Sequence, residues 1–169
     1  MAAKTFDLTA KTDAEIHQWI VNHESAKATE RQLYKDLLEE RARRSEGAGR
    51  LEIQKSLTAL TQAAREQRYL TYGDLASASN VPWTKARHQM NGAKGHLDRL
   101  LEVCHARGMP LLPALCVNES GRQTGNLESD ALTGFCVGAR RLGKHVSDEE
   151  SFHRQSVEAC FDWGRATRG

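Results

Sequence analysis

The stretch Leu70-Thr71-Tyr72-Gly73-Asp74-Leu75-Ala76, continued by Asn80-Val81-Pro82-Trp83-Thr84-Lys85-Ala86-Arg87-His88-Gln89-Met90, decides the fold. A short extended piece leads to Thr71, whose hydroxyl can cap a helix carrying Leu75, Ala76 and Ala78. That helix is short, because Asn80 is a turn residue and Pro82 disfavours helix at Val81. Pro82 suits the first positions of a second helix through Trp83, Lys85, Ala86, Arg87, His88 and Met90. Two short helices joined by a tight turn are the unit of a helix-turn-helix.

On the C-terminal side, Asn91-Gly92 is a turn signal. Leu97, Leu100, Leu101 and Cys104 then fall at i, i+3, i+4 and i+7 of a third helix, closed by Arg107-Gly108. Leu111–Val117 is an apolar run bounded by Asn118-Glu119-Ser120-Gly121. It predicts a strand, a turn at Glu119–Gly121 and a return strand through Arg122–Leu127, a small β-hairpin with Pro113 at its edge. Ser129 is placed to cap a helix with Leu132, Phe135, Cys136, Ala139 and Leu142. Ser147-Asp148-Glu149-Glu150 has the form of a capping box opening a last helix with Phe152, Val157, Cys160, Phe161 and Trp163.

On the N-terminal side, residues 1–11 lack periodicity and read as a frayed arm. Thr12-Asp13-Ala14-Glu15 is a capping box before Ile16, Trp19 and Ile20. Leu33, Tyr34, Leu37 and Leu38 mark a second helix, and Gly47-Ala48-Gly49 a linker. Ile53, Leu57, Leu60 and Ala64 mark a third. The expected organisation is an N-terminal helical extension (1–46), a winged-helix-like domain with its leading helix (50–127) and C-terminal helices packing on it (128–169). The fold class is mainly α with a small β-hairpin.

Composition bounds the function. The chain has 169 residues, 39% hydrophobic and 27% charged, enough apolar content for a core and too much for wholesale disorder. No apolar run approaches the ~20 residues that span a bilayer, and the start lacks a basic segment followed by an apolar one. No membrane partner and a cytoplasmic location are therefore expected. Cys104, Cys116, Cys136 and Cys160 are at least 12 apart, which fits neither a zinc knuckle nor a redox Cys-x-x-Cys. They read as buried free thiols, and no metal or cofactor is expected. Net charge is only +2, but Lys85, Arg87, Lys94 and Arg99 against Asp98 give 4 − 1 = +3 within residues 84–99.

The segment Thr71-Tyr72-Gly73-Asp74-Leu75-Ala76 resembles the opening of the DNA-binding domain of O6-alkylguanine-DNA alkyltransferases and alkyltransferase-like proteins. The order that follows is similar too: a basic helix at 83–90, then Pro113 through Gly121. The likeness covers about residues 69–127. It implies a winged helix whose second helix enters the major groove, and a fold of that kind is associated with a regulatory role or a bacterial or phage-type DNA-processing system. The family sets its acceptor Cys, or a substitute, directly after Pro and follows it with His-Arg. Here Pro113 is followed by Ala114-Leu115-Cys116-Val117. The thiol is displaced by two positions and the His-Arg pair is missing, so alkyl transfer is not carried over.

The function expected is non-catalytic binding of nucleic acid, double-stranded DNA first. Trp83, Lys85, Arg87, His88, Gln89, Asn91, Lys94 and Arg99 would meet bases and phosphates, and Arg122 and Gln123 would sit at the wing tip. Two other classes compete. A small nuclease or toxin-type hydrolase would use Glu119, His88 and His96. A protein–protein adaptor or homodimer would use the N-terminal helices, with Trp19, Tyr34 and Leu38 as anchors.

Overall fold

The computed structural model describes residues 6–91 and 95–168. Among them lie eight α-helices and one pair of two-residue strands, around a continuous cluster of buried apolar side chains. The molecule is mainly helical, as the periodicity requires.

Helix α1 (Asp13–Ser25) opens on a capping box: the Thr12 hydroxyl accepts from the Glu15 N–H at 3.2 Å, and Glu15 accepts from the Thr12 N–H at 2.7 Å. Helix α2 (Gln32–Ser45) buries Tyr34, Leu37, Leu38 and Ala42. Tyr34 and Leu38 are fully buried within the chain, so they present nothing to a second copy, which corrects their reading as dimer anchors. Helix α3 (Ile53–Arg65) turns Leu57, Leu60, Ala63 and Ala64 inward.

The central stretch folds as its punctuation dictates. Strand β1 (Leu70–Thr71) runs into α4 (Tyr72–Ala78). Thr71 Oγ1 accepts from the Asp74 N–H at 3.2 Å, and Asp74 Oδ2 accepts from the Thr71 N–H at 2.9 Å. Two donors of the first turn are thus satisfied reciprocally. Asn80 takes the left-handed conformation at φ 58° and ends α4, and Pro82 caps α5 (Trp83–Met90). Helix α6 (His96–Ala106) packs against α2 and ends where Gly108 adopts φ 65°. Helices α7 (Ser129–Arg141) and α8 (Glu149–Ala166) complete the chain, with α8 lying on α3. At that crossing a Cβ on Gly164 would sit 2.4 Å from the backbone of Ala64, so only glycine allows the approach.

The expected hairpin does not form. Residues Leu112–Leu115 are a 3-10 turn, and strand β2 (Cys116–Val117) pairs in parallel with β1, Leu70 opposite Cys116 and Thr71 opposite Val117. Pro113 fixes φ and lacks an N–H, which suits the start of a helical turn better than a ladder. Past β2 the backbone donors are consumed locally. The Gly121 N–H bonds Asn118 O at 2.8 Å, Arg122 N–H bonds Glu119 O at 3.2 Å, and Gly125 N–H bonds Gly121 O at 2.7 Å. Residues Glu119–Gly121 are a second 3-10 turn, and 122–127 contain no strand, so there is no antiparallel wing.

Three boundaries also move. Residues 6–11 are packed rather than frayed: Leu8 is buried and its carbonyl accepts from Arg44 at 2.9 Å. Asp148, not Ser147, caps α8, accepting from the Ser151 N–H at 2.7 Å, and α8 continues to Ala166. Helix α7 begins at Ser129 itself, with Glu128 in the cap position and no side-chain cap bond. No helix among the described residues is long and apolar enough to cross a membrane.

Candidate nucleic-acid interface

Helix α5 is anchored by Ala86 and Met90, four apart and fully buried. Its remaining surface faces solvent: Trp83, Thr84, Lys85, Arg87 and His88 are exposed, as is Asn91 just beyond its end. Trp83 is 47% exposed, unusual for a large apolar ring. The helix is the second of the turn-linked pair α4–α5.

Gln89 has a different role from the one expected. Its Oε1 accepts from the Leu51 N–H at 2.9 Å and its Nε2 donates to Gly49 O at 3.0 Å. It clamps residues 49–51 to α5 and is not free to read a base. The clamp brings the exposed Arg50 to a hollow of about 400 Å³ that His88, Asn91, His96 and Arg99 also line. Arg50 is a candidate contact that sequence reasoning missed, because nothing local links Gln89 to a linker 40 positions earlier. His96 contributes no charge there. Its Nε2 is hydrogen-bonded to the Ser56 hydroxyl at 2.7 Å, and burial pushes its pKa down to about 4.

Two expected contacts are committed elsewhere. Arg99 is buried, and its Nη1 donates to both oxygens of Glu102 at 2.9 and 3.0 Å. Arg122 donates to Glu119 at 3.0 Å and to Asp74 at 3.0 Å, and these carboxylates hold its guanidinium more firmly protonated than usual. Its charge is matched within the chain, and there is no wing for it to tip. Gln123 beside it is exposed. Lys94 lies outside the described residues.

Arg99 belongs to an ionic cluster that sequence reasoning also missed. Glu102 is completely buried. It accepts from Arg41, Arg99 and Arg141, the last at 3.0 Å. Arg141 also reaches Glu24 at 3.1 Å and Asp98 at 3.4 Å, and the Tyr34 hydroxyl donates to Glu24 at 3.0 Å. Helices α1, α2, α6 and α7 therefore meet through charge as well as apolar packing.

The hydrolase set is not assembled. His88 and His96 share the hollow, but Glu119 does not line it and is bonded to Arg122. Among the described residues, no three His, Cys, Asp or Glu side chains are grouped to hold a metal ion. All four cysteines are buried and unpaired. Burial and the nearby Asp74 push the Cys116 thiol far up, which leaves it protonated and poorly nucleophilic at neutral pH. No protein-family model, curated protein or solved structure was found to match the chain.

Proposed function

We propose that this protein binds nucleic acid, double-stranded DNA first, by laying α5 in the major groove. One observation carries the reading. The second helix of a turn-linked pair is pinned by Ala86 and Met90 and leaves Trp83, Lys85, Arg87 and His88 on its solvent side. An eight-residue helix is ~12 Å long, and the major groove, ~12 Å wide, admits one. Lys85 and Arg87 supply charge for phosphates or guanine edges, Trp83 an apolar face, and Arg50 a third cation at the flank.

The test is duplex binding as a function of salt. Three phosphate contacts by Lys85, Arg87 and Arg50 give log K a slope against log salt of about −2.7. The double substitution Lys85→Ala, Arg87→Ala reduces that slope to about −0.9. Both side chains are exposed, so the melting temperature stays unchanged. A slope that the double variant leaves intact, or no duplex binding at low salt, overturns the proposal. Arg99→Ala is not a control for binding, because Arg99 holds Glu102.

A further inference from the structure

Helices α6 and α7 do not close completely on each other. Between them, Tyr72 and the segment 113–128 lies a cavity of about 530 Å³, within the ~300–1,000 Å³ range of small-ligand sites. Leu97, Leu101, Leu127 and Phe135 make its apolar walls. Asp98, Glu128 and Asp130 add three carboxylates against the single guanidinium of Arg141.

Two features, one at its mouth and one on its wall, bear on what this cavity takes. The first is Gly134, midway along α7 and lining the cavity. Glycine inside a helix costs ~1 kcal/mol relative to alanine. Gly138, one turn on, sits at a close contact: a Cβ there would lie 2.7 Å from Leu101 Cδ1. At Gly134 an added Cβ would meet nothing within 4 Å. Gly134 is exposed, so this space is the open mouth of the cavity.

The second feature is Asp98. Its side chain is only 17% exposed, and its cation is Arg141 at 3.4 Å. Arg141 is shared, with shorter contacts to Glu102 and Glu24 at 3.0 and 3.1 Å. Arg41 and Arg99 are spent on Glu102. Asp98 therefore has the weakest share of one positive charge while bordering an apolar volume. Burial raises its pKa, the direction expected of an incompletely neutralised carboxylate.

We infer that this cavity takes a small organic cation with an apolar body, its ammonium beside Asp98 and its hydrocarbon part against Leu97, Leu101 and Phe135. Charge complementarity selects the occupant. An anion would meet three carboxylates, and a neutral apolar molecule would leave Asp98 no better compensated. The site uses neither Lys85 nor Arg87, so it stands independently of the nucleic-acid reading.

Benzylamine, benzyl alcohol and benzoate share one shape and differ in charge, which makes them suitable probes. Each is titrated into the full chain while the methyl resonances of Leu97, Leu101 and Leu127 are followed by NMR. Benzylamine is expected to bind at least tenfold more tightly than benzyl alcohol, with benzoate weakest. Gly134→Leu places a side chain at the open mouth of the cavity without a clash, keeps the fold and abolishes the benzylamine shifts. Asp98→Asn removes the preference for the amine. If that variant melts early because Arg141 loses a partner, Asp130→Asn at the exposed rim replaces it, and weakens benzylamine while sparing benzyl alcohol. Equal binding of amine and alcohol, shifts that survive Gly134→Leu, or no methyl shift up to the solubility of benzylamine overturns the inference.

Discussion

Replacing Glu102 by Gln isolates the charge at the centre of the helical core. The two side chains have nearly the same shape, so no cavity opens. What changes is balance. Arg41, Arg99 and Arg141 now face Glu102, Glu24 and Asp98, three charges against three. With Gln the count becomes three against two, and the new amide NH2 can only donate toward guanidiniums that only donate. Removing one partner of a buried ionic group costs about 3–5 kcal/mol, because the remaining charge stays desolvated. Glu102 is 0% exposed, so water does not replace what is lost. At a urea slope of about 2 kcal/mol per molar, the unfolding midpoint falls by about 2 M. Arg99→Met in the same chain restores the balance, now two against two: Arg41 and Arg141 facing Glu24 and Asp98. The double variant should therefore be more stable than the sum of the single losses by at least about 1 kcal/mol. A Glu102→Gln midpoint within 0.5 M of the parent protein, or strict additivity of the two substitutions, refutes the assignment of a cooperative ionic core.

Two further outcomes follow from buried groups. His96 has a pKa of about 4 in the fold against about 6.5 when unfolded, so the unfolded chain takes up the proton first as pH falls. Stability from this group is complete above pH 6.5 and declines toward pH 4, by about 2 kcal/mol between pH 7 and 5. Urea melts of the parent protein and His96→Gln across that interval measure it, and parallel pH profiles would contradict it. Gly164→Ala drives a Cβ into the Ala64 backbone and should cost at least about 1–3 kcal/mol by separating α8 from α3. Gly134→Ala, with open space around it, should instead raise stability by about 0.5–1 kcal/mol. Thermal melts that move in the same direction for both glycines would contradict the contrast between the close approach at Gly164 and the open space at Gly134.

What the sequence makes legible is local, and what it hides is paired across distance. Thr71 caps α4 because its partner lies three residues away, and Leu100, Leu101 and Cys104, with the half-buried Leu97, mark an apolar stripe of α6 by spacing alone. The same spacing could not classify Arg99. Counted with Lys85 and Arg87 it swells the basic segment, yet it lies on the face of α6 that meets Glu102, one turn away. That a charged pair can be buried there depends on Arg41 and Arg141, 61 and 39 positions from Glu102. No pattern in residues 84–99 contains that information. The absent wing has the same origin. An apolar run such as Leu111–Val117 fits a strand, but only two residues of it find a ladder, and their partner is the lead-in to α4, not the residues that follow. The outcome for the interface is selective. Among the described residues no acidic side chain is paired with Lys85 or Arg87, which stay exposed, whereas Arg99 and Arg122 are paired with Glu102, Glu119 and Asp74. The exposed positive charge of α5 is thereby carried by Lys85 and Arg87, on the two flanks of its buried Ala86–Met90 stripe. That exposed charge, rather than the +2 of the whole chain, is what the proposed duplex-binding titration against salt would read.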